Sequence, residues 1–292
     1  MMTAAIIGIH SMLGRALATE LRSRGVGIVG VGRGVGHDVA MDLTEPFAPN
    51  KVTPAPLNVT FHCAASFADD SPEGTRNNIA TNTLGIATVL EFMRAFDCRR
   101  CIYAGTISSF KDADPNGLSS YGLSKLMGEQ ILHWGLERDG GMFCSLRLPQ
   151  LYDTDGLSCV HQPWFGRIIA YASRGQSLHL PPSRSERNFL HVEDAARLMI
   201  RAADDGLTGT WPLCHPERLT TTQIAELAYR EFDCGGGIII DESKVPFRPI
   251  HFPESEGLFE RLRDRPQITM AHGIALIRRS GQAANFGPLD VQ

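Results

Sequence analysis

The sequence predicts an α/β fold, a doubly wound parallel sheet with a smaller C-terminal domain, and three observations point there. From residue 4 to residue 148, short apolar runs alternate with longer helical patterns, which is the signature of successive βαβ units. The first apolar run ends in a glycine-bearing turn, Gly8-Ile9-His10-Ser11-Met12-Leu13-Gly14. After Pro149 the alternation gives way to turns, isolated helices and short strands, with Pro181-Pro182 and Gly235-Gly236-Gly237 as the clearest breaks. A chain of 292 residues is long enough for two modest domains, each with a buried core. The boundaries expected are 1–150 for the first domain, with 188–205 returning to it, and 151–292 for the second.

Taken in order, residues 4–8 read as a strand and 12–24 as a helix with Leu13, Leu17 and Leu21 on one stripe. A second strand follows at 26–32 and a short third near 37–41. Residues 46–56 hold four prolines and read as a loop before a fourth strand at 58–64. A long helix is expected at 74–96, a strand at 100–105, a helix at 119–138 and a sixth strand at 142–148. No internal repeat or low-complexity tract is present, and the last dozen residues, with Gly281, Gly287 and Pro288, read as a loose tail.

Composition excludes several classes of function. The formal net charge is −4, from 28 basic and 32 acidic residues, so there is no basic field for nucleic acid and no polybasic membrane patch. No stretch approaches 18 uninterrupted apolar residues, and the first apolar run lacks a basic leader or a cleavage pattern. The expectation is a soluble, cytoplasmic protein. Seven scattered cysteines argue against a disulfide framework. Cys98-Arg99-Arg100-Cys101 is a lone CxxC without a second Cys/His pair at metal spacing, so it is read as core packing and no metal site is expected.

The glycine turn joins a strand end to a helix start, where unpaired N–H groups and the positive end of the helix dipole suit a pyrophosphate. In the usual dinucleotide-binding arrangement three glycines share the tight turn, the approach to phosphate and the packing of helix on strand, while a plain tight βα turn would show a similar pattern. Here Ser11 takes the middle place. Its hydroxyl can donate to phosphate, although its side chain takes room. At the end of the second strand, where a carboxylate selects NAD and an arginine admits the 2′-phosphate of NADP, the chain has Gly32-Arg33-Gly34. NADP(H) is therefore favoured and NAD(H) remains possible. Tyr121 and Lys125, four apart, share one helix face, where the ammonium is expected to favour the ionised phenol and make Tyr121 a proton donor for a carbonyl.

With these residues in view, the chain resembles an extended short-chain dehydrogenase/reductase of the NAD(P)-dependent epimerase/dehydratase kind, over about residues 4–205. Ser120-Tyr121-Gly122-Leu123-Ser124-Lys125 with Glu129 resembles Y-G-x-S-K-x-x-x-E, and His62-Cys63-Ala64-Ala65 resembles H-x-A-A. Asn82-Thr83-Leu84-Gly85 resembles N-V-x-G, and Asp42-Leu43 the D-(L/V) that meets adenine. Arg187 to Ala195 resembles R-x-F-x-H-V-x-D-x-A, whose arginine contacts a substrate diphosphate. His62 and His191 are given no catalytic role.

The resemblance implies a cofactor site of Gly8, Ser11, Met12, Leu13, Gly14, Arg33, Asp42, Leu43, Cys63, Ala64, Ala65, Asn82, Tyr121 and Lys125. It implies catalysis by Thr106, Tyr121 and Lys125, and substrate contacts at Ser66, Gln150, His161 and Arg187 in a pocket completed by the C-terminal domain. Thr106 stands where relatives carry the catalytic serine, and Ile107-Ser108 replaces the Asp-Glu pair of 4,6-dehydratases, which argues against dehydration. Arg147-Leu148-Pro149-Gln150 departs from R-x-x-N, with Gln150 for asparagine. His161 lies roughly where some relatives hold an acid for C3/C5 epimerisation, although the Cys partner is absent from Ser108. The implied activity is NAD(P)-dependent reduction of a 4-keto-6-deoxy sugar nucleotide by a homodimer. Alternatives are an epimerase with retained NAD, a reductase of a smaller carbonyl compound, and a non-catalytic NADPH sensor.

Overall fold

The computed structural model describes residues 2–34, 36–48, 55–183 and 185–289. Residues 49–54 of the proline-rich loop expected at 46–56, and the end of the expected tail, lie outside the described residues. The chain divides into two compact units. One comprises Met1–Leu148, Ala195–Leu213 and Ser255–Asp264, and the other Pro149–Asp194, Cys214–Glu254 and Arg265–Gln292.

The first unit is built on β1 (Thr3–Ile7), α1 (Met12–Ser23), β2 (Gly27–Gly32), β3 (Val39–Ala40) and β4 (Val59–His62). It continues with α2 (Pro72–Asn78), α3 (Gly85–Ala95), β5 (Arg100–Thr106), α4 (Ser120–Arg138) and β6 (Met142–Leu148). The strands form one parallel sheet in the order Gly209–Pro212, β6, β5, β4, β1, β2, β3. This is the doubly wound α/β fold expected from the sequence. The order reverses at β1, so the chain leaves β1 and β4 toward opposite edges and opens a crevice at their C-terminal ends, where such sheets bind ligands. β4 and most of β1 and β5 are buried, as expected for parallel strands covered on both faces.

Two features differ from the sequence reading. The seventh strand, Gly209–Pro212, carries a proline that hides it from strand patterning, and it forms because it lies at the sheet edge beside β6. The helix expected at 74–96 starts two residues earlier, where Ser71 Oγ accepts from the Gly74 N–H at 3.0 Å. It is interrupted by a π-helical stretch, Ile79–Leu84, between α2 and α3. The core of this unit packs Ile86, Val89, Phe92 and Met93 of α3, with Leu132 and Leu136 of α4, against Tyr103 and Phe143. A buried side chain of this size stabilises by roughly 1.5–3 kcal/mol.

The second unit packs helices Pro163–Ser173, Thr221–Phe232 and Met270–Ser280 around Phe165, Ile168, Ile224, Ile274 and Ile277. Its strands are short and pair in twos, Gln150–Tyr152 with Phe189–His191, Glu186–Arg187 with Leu219–Thr220, and Leu178–Leu180 with Ile238–Ile240. The tail expected to be loose is anchored as far as Phe286, which is buried against Phe165 at a ring separation of 6.3 Å. One aromatic side chain thus outweighs the glycine and proline signals around it.

Candidate active site

The glycine turn is shaped by backbone contact. Gly8 has φ +86°, a left-handed value, and a Cβ there would lie 2.8 Å from the Ala64 nitrogen. A Cβ on Gly14 would collide with the Gly8 carbonyl. The turn, the first turn of α1 and the Cys63-Ala64-Ala65 segment beyond β4 are therefore pressed together, with no room for a side chain at either glycine. Ser11 caps α1, its Oγ accepting from the Gly14 N–H at 3.0 Å, and its own O–H proton remains available to an anion. Leu13 is buried and Met12 half-buried, so Leu13 faces the core and offers a ligand only its backbone.

At the end of the neighbouring strand, Arg33 is exposed directly after β2. The Asp42 carboxylate accepts from the Thr44 N–H at 2.9 Å and hydroxyl at 2.8 Å, which holds it below the usual carboxylate range. Leu43 is buried, and its carbonyl accepts from the Thr88 hydroxyl at 3.4 Å. Burial pushes the Cys63 thiol up to about 12, so it is a neutral wall rather than a nucleophile. Cys98 and Cys101 are buried free thiols whose pKa values burial also raises. Among the described residues, no group of three or more His, Cys, Asp and Glu side chains is placed to hold a metal ion.

Thr106 ends β5 and Tyr121 lies in the first turn of α4, where the Thr106 side chain acts to lower the Tyr121 pKa. Burial nevertheless pushes the Tyr121 phenol up to about 12. The expectation that Lys125 would lower it is not met, because desolvation is the larger effect and the ammonium is directed elsewhere. Lys125 Nζ stands 4.0 Å from the centre of the Tyr103 ring, a cation over a π face. Burial draws Lys125 down to about 8, against the opposing pull of Cys63, Glu129 and Cys101.

Polar clamps fix the helix that carries this pair. Ser119 caps it, accepting from the Gly122 N–H at 3.1 Å, while Ser109 Oγ donates to the Gly122 carbonyl at 3.1 Å. The buried Glu129 carboxylate receives Arg147 Nη2 at 2.6 Å, Arg147 Nε at 3.1 Å and the Ser145 hydroxyl at 2.6 Å. Asn82, expected at the cofactor, has both amide protons engaged, by the Ser66 carbonyl at 2.8 Å and Ser124 Oγ at 3.0 Å. Its Oδ1 accepts from the Ser66 N–H at 2.8 Å, so Asn82 positions the Ser66 segment rather than donating to a ligand. The Ser66 hydroxyl, expected at substrate, donates to Asn78 Oδ1 at 3.0 Å. His62 is a core histidine that burial pulls down to about 3, with its ring 5.3 Å from that of Tyr103.

Sequence reasoning missed two aromatic neighbours. Tyr103 supports Lys125, and Phe67, exposed, meets the Tyr121 ring edge to face at 4.6 Å. No spacing rule links either to the catalytic helix. The remaining expected residues belong to the second unit. Gln150 Nε2 donates to Gln162 Oε1 at 2.8 Å. His161 is exposed at the end of a short 3₁₀ turn, with its pKa lowered by desolvation. Arg187 is buried, donating to the carbonyls of Glu186 at 3.1 Å and Arg248 at 2.9 Å. Burial and the like charge of Arg248 both lower its pKa.

The family model described as the NAD dependent epimerase/dehydratase family matches residues 4–211. A UDP-glucose 4-epimerase of Lacticaseibacillus casei is 25% identical over 171 residues, covering 50% of this chain and 50% of the relative. That alignment thus spans about half the length of the curated relative. Among solved structures, UDP-N-acetylglucosamine 4-epimerase from Bacillus cereus superposes with a TM-score of 0.77 at 20% identity, covering 100% of this chain and 99% of that one. RMD from Pseudomonas aeruginosa, complexed with NADPH, gives a TM-score of 0.77 at 19% identity, covering 97% and 100%.

Proposed function

The chain belongs to the NAD dependent epimerase/dehydratase family, and from that premise we propose that it is an NADPH-dependent reductase of a 4-keto-6-deoxy sugar nucleotide. The single observation that carries the reading is the grouping of Thr106, which acts to lower the Tyr121 pKa, with Tyr121 and with Lys125 one helical turn further on. The turn from Gly8 to Gly14, at the start of α1, suits a dinucleotide pyrophosphate, which its backbone N–H groups and the Ser11 hydroxyl would hold. Asp42 and Leu43 would meet the adenine, Arg33 the adenosine 2′-phosphate, Cys63 to Ala65 the nicotinamide riboside, and Lys125 the nicotinamide ribose. When bound, the nicotinamide cofactor supplies or accepts a hydride.

The chain's own residues do the rest. Thr106 and Tyr121 hold the substrate carbonyl oxygen, and Tyr121 gives it a proton, a contribution typically worth about 10²- to 10⁴-fold. A phenol pushed up to about 12 is fully protonated at neutral pH, which suits reduction, where it must donate. A second reading, an epimerase that retains NAD, is favoured by the 4-epimerase relatives. It asks Tyr121 to act also as a base, and so needs its pKa drawn down in the loaded enzyme.

Arg187, with the charge of Arg248 beside it, is our choice for the substrate diphosphate, since an anion would relieve their repulsion. Gln150 and His161 would line the sugar subsite. The exposed apolar side chains Leu123, Met127 and Trp134 of α4, with Ile79 and Leu84 of the π stretch, would be covered by a second copy in a homodimer.

Nicotinamide absorbance followed with a panel of dTDP-, GDP-, CDP- and UDP-4-keto-6-deoxysugars tests the reading. Steady consumption of NADPH, preferred over NADH, with one nucleotide supports it. Arg187→Ala should then raise KM far more than it lowers kcat. Retained NAD with interconversion of two sugars and no net consumption would favour the epimerase. Efficient reduction of a small ketone, with none of the four nucleotide diphosphates binding below millimolar concentration, would overturn the substrate class.

A further inference from the structure

An aromatic side chain is held in the open beside the Tyr121 phenol. Phe67, on the loop after β4, is 55% exposed, and its ring stands at 78° to that of Tyr121 with centres 4.6 Å apart. The main chain on both sides of it is clamped. Asn82 pairs with Ser66, its Oδ1 accepting from the N–H at 2.8 Å and its Nδ2 donating to the carbonyl at 2.8 Å. Asn78 pairs with Ala68 in the same way, at 3.0 Å and 3.1 Å. Both asparagines are buried.

The two clamps come from the end of α2 and from the π stretch, and they act as strand neighbours would, each satisfying both polar main-chain groups of one residue. Beyond them, Asp69 accepts from the Ser71 N–H at 3.1 Å and Asp70 from the Ser120 N–H at 2.7 Å, which ties the loop to the starts of α2 and α4. A single exposed apolar residue is ordinary. One braced on both sides and set against the phenol is placed for contact with a ligand, as binding residues on scaffold-held loops are.

We infer that Phe67 selects the substrate, its ring packing on the methyl group of a 6-deoxy sugar beside the carbonyl held by Tyr121. This rests on the reading of the chain as a nucleotide-sugar enzyme that acts at C4. A carbonyl oxygen bonded to the Tyr121 phenol brings the two carbons that flank C4 within reach of the neighbouring ring. C3 carries a hydroxyl, which an aromatic face would strip of water without replacing its hydrogen bond. C5 carries the C6 group, and when this is a methyl the contact is apolar on both sides. A hydroxymethyl group in the same place would lose a hydrogen bond to water, so the hexose is the weaker substrate.

The test compares dTDP-, UDP-, GDP- and CDP-linked glucose and galactose with their 6-deoxy counterparts. Turnover is followed as oxidation at C4 with NADP⁺ or as interconversion of the C4 epimers, in the wild type, Phe67→Ala and Phe67→Tyr, with melting midpoints as the check on folding. The wild type is expected to favour the 6-deoxy sugar by about tenfold or more in kcat/KM, the scale of discrimination that one small group supplies. Phe67→Ala should lose most of that preference through a higher KM for the 6-deoxy substrate, while Phe67→Tyr, which keeps the ring, retains it. An equal fall on both sugars in Phe67→Ala would show that the ring only supports Tyr121. That result, a preference that outlasts the ring, or a wild type that favours the hexose would overturn the inference and leave the proposed function standing. Should no nucleotide sugar be turned over while a small ketone is reduced, the substrate class falls first and the inference with it.

Discussion

At the scale of single residues, the site is governed by competition between burial and charge. Tyr121 and Lys125 are both desolvated, and desolvation moves them in opposite directions, the phenol up to about 12 and the ammonium down to about 8. Each move favours the neutral form. Thr106 partly offsets the effect at Tyr121, and the face of Tyr103 supports the ammonium of Lys125. Tyr121→Phe removes one proton donor and little volume. We expect it to retain cofactor affinity and thermal midpoint while turnover falls by about two or more orders of magnitude. A variant that keeps more than about a tenth of the wild-type rate would mean that another group is the acid. The i, i+4 spacing was enough to find this pair in the sequence. Tyr103 was not legible, because a strand residue that supports a helix residue obeys no local periodicity.

At the scale of elements, α4 delivers the chemistry and its neighbours decide where it sits. The π stretch turns Asn82 toward Ser66 and Ser124, and Thr83 Oγ1 donates to the Ser124 carbonyl at 3.0 Å. Close approach of the two helices depends on Gly128, where a Cβ would run into the Asn82 carbonyl, a backbone atom that cannot swing aside. Gly128→Ala should therefore destabilise by about 1–3 kcal/mol, as overpacking does, despite the gain in helix propensity. Because the displaced helix carries Tyr121 and Lys125, kcat should fall by more than the loss of folded protein explains. Thermal denaturation with turnover per folded molecule separates the two effects, and an unchanged or raised melting midpoint would show that the helices can part freely. The π stretch was invisible in the sequence because extra residues in a helical turn leave the apolar pattern helical. The edge strand at Gly209–Pro212 was missed for the opposite reason, since its proline reads as a break while the edge tolerates it. The strands and helices from β1 to β6 were legible because burial on both faces, and on one stripe, writes itself into apolar spacing.

At the scale of the whole molecule, each unit buries a histidine in its neutral form. Burial pulls His62 in the first unit down to about 3 and His191 in the second down to about 4. Both rings are almost completely inaccessible, and His191 accepts from the Glu193 N–H at 3.3 Å through Nδ1, a bond that requires that nitrogen to be unprotonated. On unfolding, both recover an ordinary value near 6.5, so below that pH the unfolded chain binds protons that the folded chain does not. Their contribution to stability is full above about pH 6.5 and is lost as the pH falls toward the folded values, with a slope of at most about 1.4 kcal/mol per pH unit for each ring. Because the two rings lie in different units, both unfolding transitions should move if the units melt separately, and one shared transition should move twice as steeply if they melt together. Urea denaturation followed by tryptophan fluorescence and circular dichroism at pH 7.5, 6.0, 5.0 and 4.5 tests this. The midpoint is expected to hold steady down to about pH 6.5 and then fall. A midpoint that stayed level down to pH 4.5 would mean that the buried rings accept protons in the folded protein, and the packing around His62 and His191 would have to be looser than described.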